Sequence, residues 1–316
     1  MAIYNAYDAI GQREDLTDVI YDISPTETPF MSSIGKTKAT AVYHEWQTDS
    51  LAAATTANAA VEGADASDAT LSPTTRLGNY TQILQKTIKV SGTLDAVNKA
   101  GRKSEKAYQL AKASQELKRD LETILLSNQG RSAGTTNSTA RKMGSLLSWI
   151  KTNSDAQTNG ADPTTIGVST RTDGNTRTFT ETLLKSVVAE VFTSGGSPKV
   201  LMVGAAGKQK VSSFTGISAY RYNVAGSAAP AAIVGAADIY VSDFGNMAVV
   251  PNRFMRTRDA LILDPEYAAL AYLRPFQTVE LAKAGDADKT QILVEVTLEV
   301  KNEAAHGIVA DLNMSL

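Results

Sequence analysis

The chain has 316 residues, of which 43% are hydrophobic and 20% charged, and its 31 basic and 33 acidic side chains give a formal net charge of -2. That is long enough to bury a sizeable core and too apolar for disorder, and it supplies no basic field with which a free subunit could grip a phosphate backbone. It contains no cysteine, which excludes disulfides, thiolate nucleophiles, zinc–thiolate sites and iron–sulfur clusters together.

The opening MAIYNAYDAIGQRED places Asp8 ahead of any basic side chain and holds no long apolar run, so no secretory signal is expected. The most apolar stretch, AAPAAIVGAA from Ala228, falls well short of the ~18 residues of a membrane span. A soluble protein made in the cytoplasm is expected. Residues 15–23, DLTDVIYDI, carry Leu16, Val19, Ile20 and Ile23 at helical spacing, a short amphipathic turn or two. Next comes ISPTETPFMSSIG, residues 23–35, in which Pro25 and Pro29 each fix φ and remove a backbone donor. This segment is expected to be an extended arm, unable to form a helix, whose Phe30, Met31 and Ile34 need a surface elsewhere.

Two strand-like runs follow. KATAVYHEWQ, residues 38–47, alternates Val42, His44 and Trp46 with Tyr43 and Glu45, and YTQILQKTIKV, residues 80–90, puts Tyr80, Leu84, Ile88 and Val90 on one side. Between them, residues 51–75 are rich in Ala and Thr and include Glu62, Asp65 and Asp68 without one Lys or Arg. The expectation is a long two-stranded flap with an acidic tip. A lone hairpin is marginal in water, so the flap also wants a partner.

The strongest helical pattern spans about residues 102–128. Ala107, Leu110, Ala111, Ser114, Leu117, Leu121, Ile124 and Leu125 form one stripe, and Lys112 with Glu116 and Lys118 with Glu122 stand at the spacing of surface charge pairs. Residues 130–177 are mostly Thr, Ser, Asn and Gly, a loop excursion anchored by Leu146, Leu147, Trp149 and Ile150. A compact α/β unit then begins. Thr178 and Glu181 read as a capping box, and Leu183, Leu184, Val187, Val188, Val191 and Phe192 as the apolar face of a helix closed by Gly195, Gly196 and Pro198. KVLMV, residues 199–203, is a buried strand, DIYVSDFGNMAVVPN a hairpin turning at Gly245 and Asn246, and residues 260–273 two strands broken at Asp264 and Pro265. In KTQILVEVTLEVK, Ile292, Val294, Val296, Leu298 and Val300 alternate with Glu295, Thr297, Glu299 and Lys301, a half-buried strand expected to pair with residues 276–283.

Motifs for chemistry are weak. VLMVGAAGKQK begins as a phosphate-binding loop does, but Gly204 and Gly207 are two residues apart where a Walker loop needs four, and Gln209 replaces the magnesium-binding hydroxyl after Lys208. A strand-to-helix turn explains it better. His44 and His306 each stand alone, outside any triad or zinc-helix pattern. Asp286 and Asp288 lack the remainder of a calcium loop, and a turn accounts for them. No catalytic residue, metal or cofactor is expected, and the chain does not read as an enzyme.

Taken in order, REDLTDVIYDISPTETPFMSSIG, RLGNYTQILQKTIKVSGT, the long helix, RKMGSLLSWIKTN, KVLMVGAAGKQKVSSF and VEVTLEVKNEAAHGIVADL resemble the major capsid proteins of tailed bacteriophages with the Hong Kong 97 fold, in the branch without a fused scaffolding segment. The likeness covers nearly the whole chain. It implies an α+β fold with an N-terminal arm (1–36), an extended two-stranded loop (37–90), a spine helix with part of a peripheral domain and the loop excursion (91–177), an axial domain (178–274) and C-terminal strands returning to the peripheral sheet (275–316). It also implies a homo-oligomer, pentamers and hexamers in an icosahedral shell around double-stranded DNA that is held without sequence-specific contacts. Scaffolding and portal proteins are the further partners implied, and no membrane. On that reading Pro25, Pro29, Phe30, Met31, Ile34, Tyr43, His44, Trp46 and Tyr80 lie against neighbouring subunits, and Tyr220, Arg221 and Tyr222 sit in a loop at the capsomer axis. The alternatives are an encapsulin-type compartment shell and a nucleotide-binding α/β enzyme built around Lys208.

Overall fold

The computed structural model describes residues 26–63, 65, 68–97, 104–135, 138–214, 238–283 and 285–314. In chain order the elements are α1 (Pro29–Ser33), β1 (Gly35–Lys38), β2 (Tyr43–Thr48), β3 (Thr75–Tyr80), β4 (Gln82–Ser91), α2 (Gly92–Ala96), α3 (Glu105–Leu125), α4 (Leu146–Trp149), β5 (Ser154–Asp155), β6 (Arg177–Thr178), α5 (Glu181–Thr193), β7 (Val200–Val203), α6 (Ala205–Ser212), β8 (Ile239–Ser242), β9 (Gly245–Pro251), β10 (Ala260–Leu263), β11 (Ala268–Leu281), β12 (Ala287–Val300), β13 (Gly307–Val309) and β14 (Leu312–Asn313).

Two sheets organise the body. One has the strand order β1-β11-β12-β4, the other β5-β13-β10-β7-β9-β8. The first is built on the β11–β12 hairpin expected from the alternation of residues 292–300, with Val300 opposite Ala268 and Lys289 opposite Leu281. Its register slips on either side of Arg274, next to Pro275, as a proline without an N–H requires inside a ladder. β12 is more deeply buried than half-buried alternation implies. Ile292, Val294, Val296, Leu298 and Val300 are inside as expected, but Leu293, Glu295 and Thr297 of the other face are covered as well.

Helix α3 crosses this sheet, capped at Ser104, whose side chain accepts the Ala107 N–H. Residues 102 and 103, which the sequence assigns to the helix, lie outside the described ones. Its C-terminal half carries most of the burial, through Leu117, Leu121 and Leu125. The two surface charge pairs expected on it do not form. Lys86 of β4 reaches Glu116 at 3.0 Å and Asp120 at 3.2 Å, and Glu122 turns inward with no exposed surface. The spacing that makes Lys118–Glu122 a pair on an exposed face says nothing about which way that face points.

The second sheet is packed by α5 and α6. The cap of α5 is Thr180, which accepts the Leu183 N–H, and not Thr178, which pairs in β6. Leu184, Val187, Val188 and Val191 are buried, while Phe192 is left 54% exposed. Gly195 closes the helix with φ +87°, a conformation that favours glycine. The β8–β9 turn comes at Asp243 and Phe244, ahead of the expected Gly245–Asn246. Lys208 donates to the Val249 carbonyl at 2.7 Å and to Asp238 at 3.2 Å, so the lysine of the short glycine loop ties α6 to the neighbouring strand.

The expected division at residues 274/275 does not follow the sheets. β11 is in the first sheet from Ala268 onward, and the last strands leave it, β13 pairing with β10 and β5 in the second. The excursion after α3 is anchored as its sequence predicts, with Leu146, Leu147, Trp149 and Ile150 at 0–1% exposure. Its backbone is stitched by polar groups: Asn128 and Arg171 exchange two hydrogen bonds, and Asp311 accepts from Gly174 N–H at 2.8 Å and pairs with Arg258 at 2.7 Å.

Candidate assembly interface

An assembling subunit must present apolar surface that its own fold leaves uncovered, and what each segment touches within the subunit decides what it can offer a neighbour. The arm does not remain extended. Pro29 occupies the first turn of α1, where a missing N–H costs nothing. That turn drives Phe30, Met31 and Ile34 into the subunit's own core, at 1%, 8% and 6% exposure. The assignment of these three to a neighbouring copy is therefore corrected. Pro25 lies outside the described residues, and Pro29 serves to start α1.

The junction is fastened by Glu122. Its carboxylate accepts the Phe30 N–H at 2.7 Å, the Met31 N–H at 2.9 Å and the Asn252 side-chain amide at 2.7 Å. One buried side chain of α3 thus joins the arm, the spine and the loop after β9. Burial pushes its pKa up from the ordinary carboxylate value, although the three hydrogen bonds oppose that. In sequence it is one more acid on a charged helix, and nothing local marks it.

The flap is shorter than its sequence promises. β2 pairs with β3, Tyr43 opposite Tyr80 and Thr48 opposite Thr75, whereas residues 82–91, expected as the flap's return strand, run along β12 as the edge of the first sheet. Its base rests on its own subunit. Tyr43 and Tyr80 meet with ring centroids 4.6 Å apart, Trp46 packs on Trp149 at 5.3 Å, and the Arg131 guanidinium lies 5.5 Å from the Tyr43 ring. His44 stands 3.3 Å from Glu299, which also accepts from Thr37 at 2.8 Å. Gly78 has to be glycine, because a Cβ there would come within 2.9 Å of the His44 carbonyl and 2.8 Å of the Tyr43 ring. Tyr43, His44, Trp46 and Tyr80 are half-buried and seat the hairpin on the body of their own subunit.

What the subunit leaves open lies elsewhere. Every described residue from 49 to 74 is exposed and none is in a strand; Leu51, Val61 and Leu71 are 98%, 79% and 89% exposed. A second apolar patch was missed in the sequence. Ile239 and Val241 are exposed on β8, the edge of the second sheet, on the side opposite the buried Tyr240, and Phe192 of α5 and Phe244 of the β8–β9 turn, also exposed, stack with ring centroids 4.6 Å apart. Period-2 alternation around the buried Tyr240 was the available signal. Tyr220, Arg221 and Tyr222 lie outside the described residues. Among the described residues no group of three or more His, Cys, Asp or Glu is placed to hold a metal ion, and no helix is long and apolar enough to cross a membrane.

A sheet crossed by one long helix, with an uncovered flap beside it, is the fold of phage capsid subunits. The chain belongs to the SU10 major capsid protein family, which it matches over residues 3–313. It is 30% identical to the major capsid protein of Escherichia phage Phieco32, over 97% of this chain and 96% of that one. In fold it is similar to the capsid asymmetric unit of cyanophage A-1(L), with a TM-score of 0.64, 11% identity and coverage of 95% of this chain and 97% of that one. The SrpI encapsulin of Synechococcus elongatus also shares the fold, at a TM-score of 0.56, 10% identity and coverage of 97% and 94%. The Hong Kong 97-type α+β architecture is thus common to phage heads and encapsulins, and family membership decides between them. The chain is a phage major capsid protein, and its function is to form the shell.

Proposed function

We propose that copies of this chain assemble as pentamers and hexamers into an icosahedral head enclosing double-stranded DNA, with residues 49–74 of each subunit laid across a neighbour. The observation that carries this reading is the exposure of that segment, whose three large aliphatic side chains have no cover in the subunit, in a chain of a capsid family. Burying Leu51, Val61 and Leu71 would contribute roughly 1.5–3 kcal/mol each. Contacts of that size, repeated around closed symmetry, sum to a stable shell even where each is weak.

Charge supports the nature of the cargo contact. A net charge of -2 gives the inner wall no strong hold on phosphate, so DNA is enclosed and not bound in register. Scaffolding and portal proteins complete the assembly on this reading, which takes place in the host cytoplasm and ends in the virion, and the chain's work is mechanical and not enzymatic. The test is to replace residues 51–73 by a short Gly–Ser linker, express the protein and view it by negative-stain electron microscopy. Soluble folded subunits without shells are expected; closed shells of normal size from that variant would overturn the flap's role.

A further inference from the structure

The loop between β9 and β10 meets the excursion at a knot of arginines and aspartates. Arg256 donates to Asp173 at 2.5 Å, and Arg258 donates to Asp311 at 2.7 Å while standing 3.5 Å from Asp173. Asp259, the residue before β10, completes the group, its Oδ2 3.3 Å from Nη1 of Arg256. Beside them Arg171 pairs with Asp162 at 2.7 Å. Asp162, Arg171 and Asp173 belong to the excursion and the others to segments that flank β10 and β13, so these contacts hold residues 154–177 against the second sheet.

The charges do not cancel. Arg256 and Arg258 face Asp173, Asp259 and Asp311, two cations against three anions, and the Arg171–Asp162 pair leaves the formal charge of -1 unchanged. The three acids are not placed alike. Asp173 reaches water, with its side chain 41% exposed. Asp311 is buried but well supplied, since it accepts the Gly174 and Gln157 N–H groups at 2.8 and 3.2 Å besides Arg258. Asp259 is 2% exposed, and among the described residues neither its Oδ2 nor the Arg256 Nη1 facing it takes part in a hydrogen bond. A buried carboxylate without donors is the member whose charge the site supports least.

Titration agrees with geometry. Burial pushes Asp259 up from 3.8 to about 6, with Asp173 adding to the rise and Arg256, Arg171 and Arg258 opposing it. Asp173 moves the other way, lowered by its hydrogen bond from Arg256. Glu190 of α5 is raised as well, by burial and by Asp155 and Asp162, and is not among the groups that act on Asp259.

We propose that Asp259 works this junction as a proton-operated clamp: mild acidification adds a proton from water to its carboxylate, removes the surplus charge and tightens the hold of the β9–β10 loop on residues 154–177. Arg256 stays bound to Asp173 throughout. The fold then keeps a proton that the unfolded chain gives up above 3.8, so the penalty of the charge is full above pH 6 and is relieved as pH falls toward 4. The clamp lies within one subunit and does not depend on how shells form.

Asp259→Asn in the full-length protein tests this, because it fixes an uncharged side chain of the same shape. Hydrogen exchange of the backbone N–H groups of residues 157–177 is expected to be slower than in the native protein by up to ~100-fold at pH 7.5, the ratio set by a move from 3.8 to about 6, and by less than ~10-fold at pH 4.5. The urea midpoint of the variant should likewise exceed the native one at pH 7.5, with the gap narrowing at pH 4.5. Other titrating groups are common to both proteins and cancel in the comparison. Asp311→Asn, which weakens an acceptor already supplied with donors, should speed exchange at both pH values. Faster exchange in Asp259→Asn at pH 7.5, failure of that variant to fold, or a difference that is the same at both pH values would overturn the clamp. Slower exchange in Asp311→Asn would overturn the assignment to Asp259.

Discussion

The arm junction and the flap look alike in sequence and end as opposites in the fold. Both carry isolated aliphatic side chains among Thr, Ser and Ala, and neither has the periodicity of a core element. Yet Phe30 is 1% exposed and Leu71 89%. The difference is a partner for the backbone. Around Phe30 the chain makes one helical turn whose first N–H groups are received by Glu122, so apolar burial leaves no orphaned donor. The described residues of 49–74 have only local receivers, Asp49 for the Ser50 N–H and Thr55 for the Ala57 N–H, and stay on the surface. Apolar content therefore shows that a segment needs cover, and the satisfaction of its polar backbone decides whether its own subunit can give it.

The sharpest way to break that comparison is to remove the receiver. Glu122→Ala leaves the Phe30 and Met31 N–H groups and the Asn252 amide buried without their acceptor, at roughly 1–3 kcal/mol for each. A loss of about 5 kcal/mol in urea unfolding is expected, together with protease cleavage near α1. Glu122→Gln keeps one acceptor oxygen and turns an N–H₂ toward a donor, and should cost about 1–3 kcal/mol. Equal losses for the two variants would show that the carboxylate is filler. Phe30→Ala is the next test, with an expected cost of about 3–5 kcal/mol from lost transfer energy and the cavity left behind. A cost near zero would return Phe30 to the class of the flap residues.

A third test compares the interior with the surface through pH. His306 is fully buried, its Nδ1 accepting the Asp264 N–H at 3.4 Å, and burial lowers its pKa from 6.5 to about 4. The folded state keeps the ring neutral while the unfolded chain takes up a proton, so this contribution is fully present above pH 6.5 and is lost as pH falls toward 4. A shift of this size corresponds to roughly 3 kcal/mol. Unfolding measured between pH 7.5 and 4.5 should show the decline in the native protein and a flatter profile in His306→Gln. An unchanged slope in the variant would assign the acid sensitivity to the carboxylates.

Local patterns carried the legible part of this fold. The alternation of residues 292–300, its pairing with β11, the body of α3 and the anchor of Leu146, Leu147, Trp149 and Ile150 all appear as their spacing implies, because each depends on neighbours in sequence. What escaped depends on neighbours in space. Residues 82–91 alternate equally well for a flap or a sheet edge, and only β12 decides between them. Two prolines argue against a helix in residues 23–35, yet Pro29 is tolerated at the first turn of one. Trp46 and Tyr43 look like free aromatic contacts until Trp149 and Arg131, far along the chain, are found beside them. Of the candidate interface, the flap is visible in sequence as a need for cover, while the exposure of Ile239 and Val241 on a hairpin strand and of Phe192 on an otherwise buried helix face depends on what the rest of the fold leaves open.

The smallest effect on the subunit separates stability from assembly most cleanly. Leu51, Val61 and Leu71 touch little within their own chain, so Leu51→Ser, Val61→Ser and Leu71→Ser together should change unfolding by no more than about 0.5 kcal/mol per site. The same change removes the apolar surface offered to each neighbour. Sedimentation and electron microscopy should then find soluble subunits or isolated capsomers where the native protein gives shells, with the urea midpoint almost unmoved. A large fall in subunit stability would mean that the flap is a covered part of its own fold. Native shells with stability intact would instead place the adhesive surface at the β8 edge, where Ile239→Ser with Val241→Ser would be expected to abolish them.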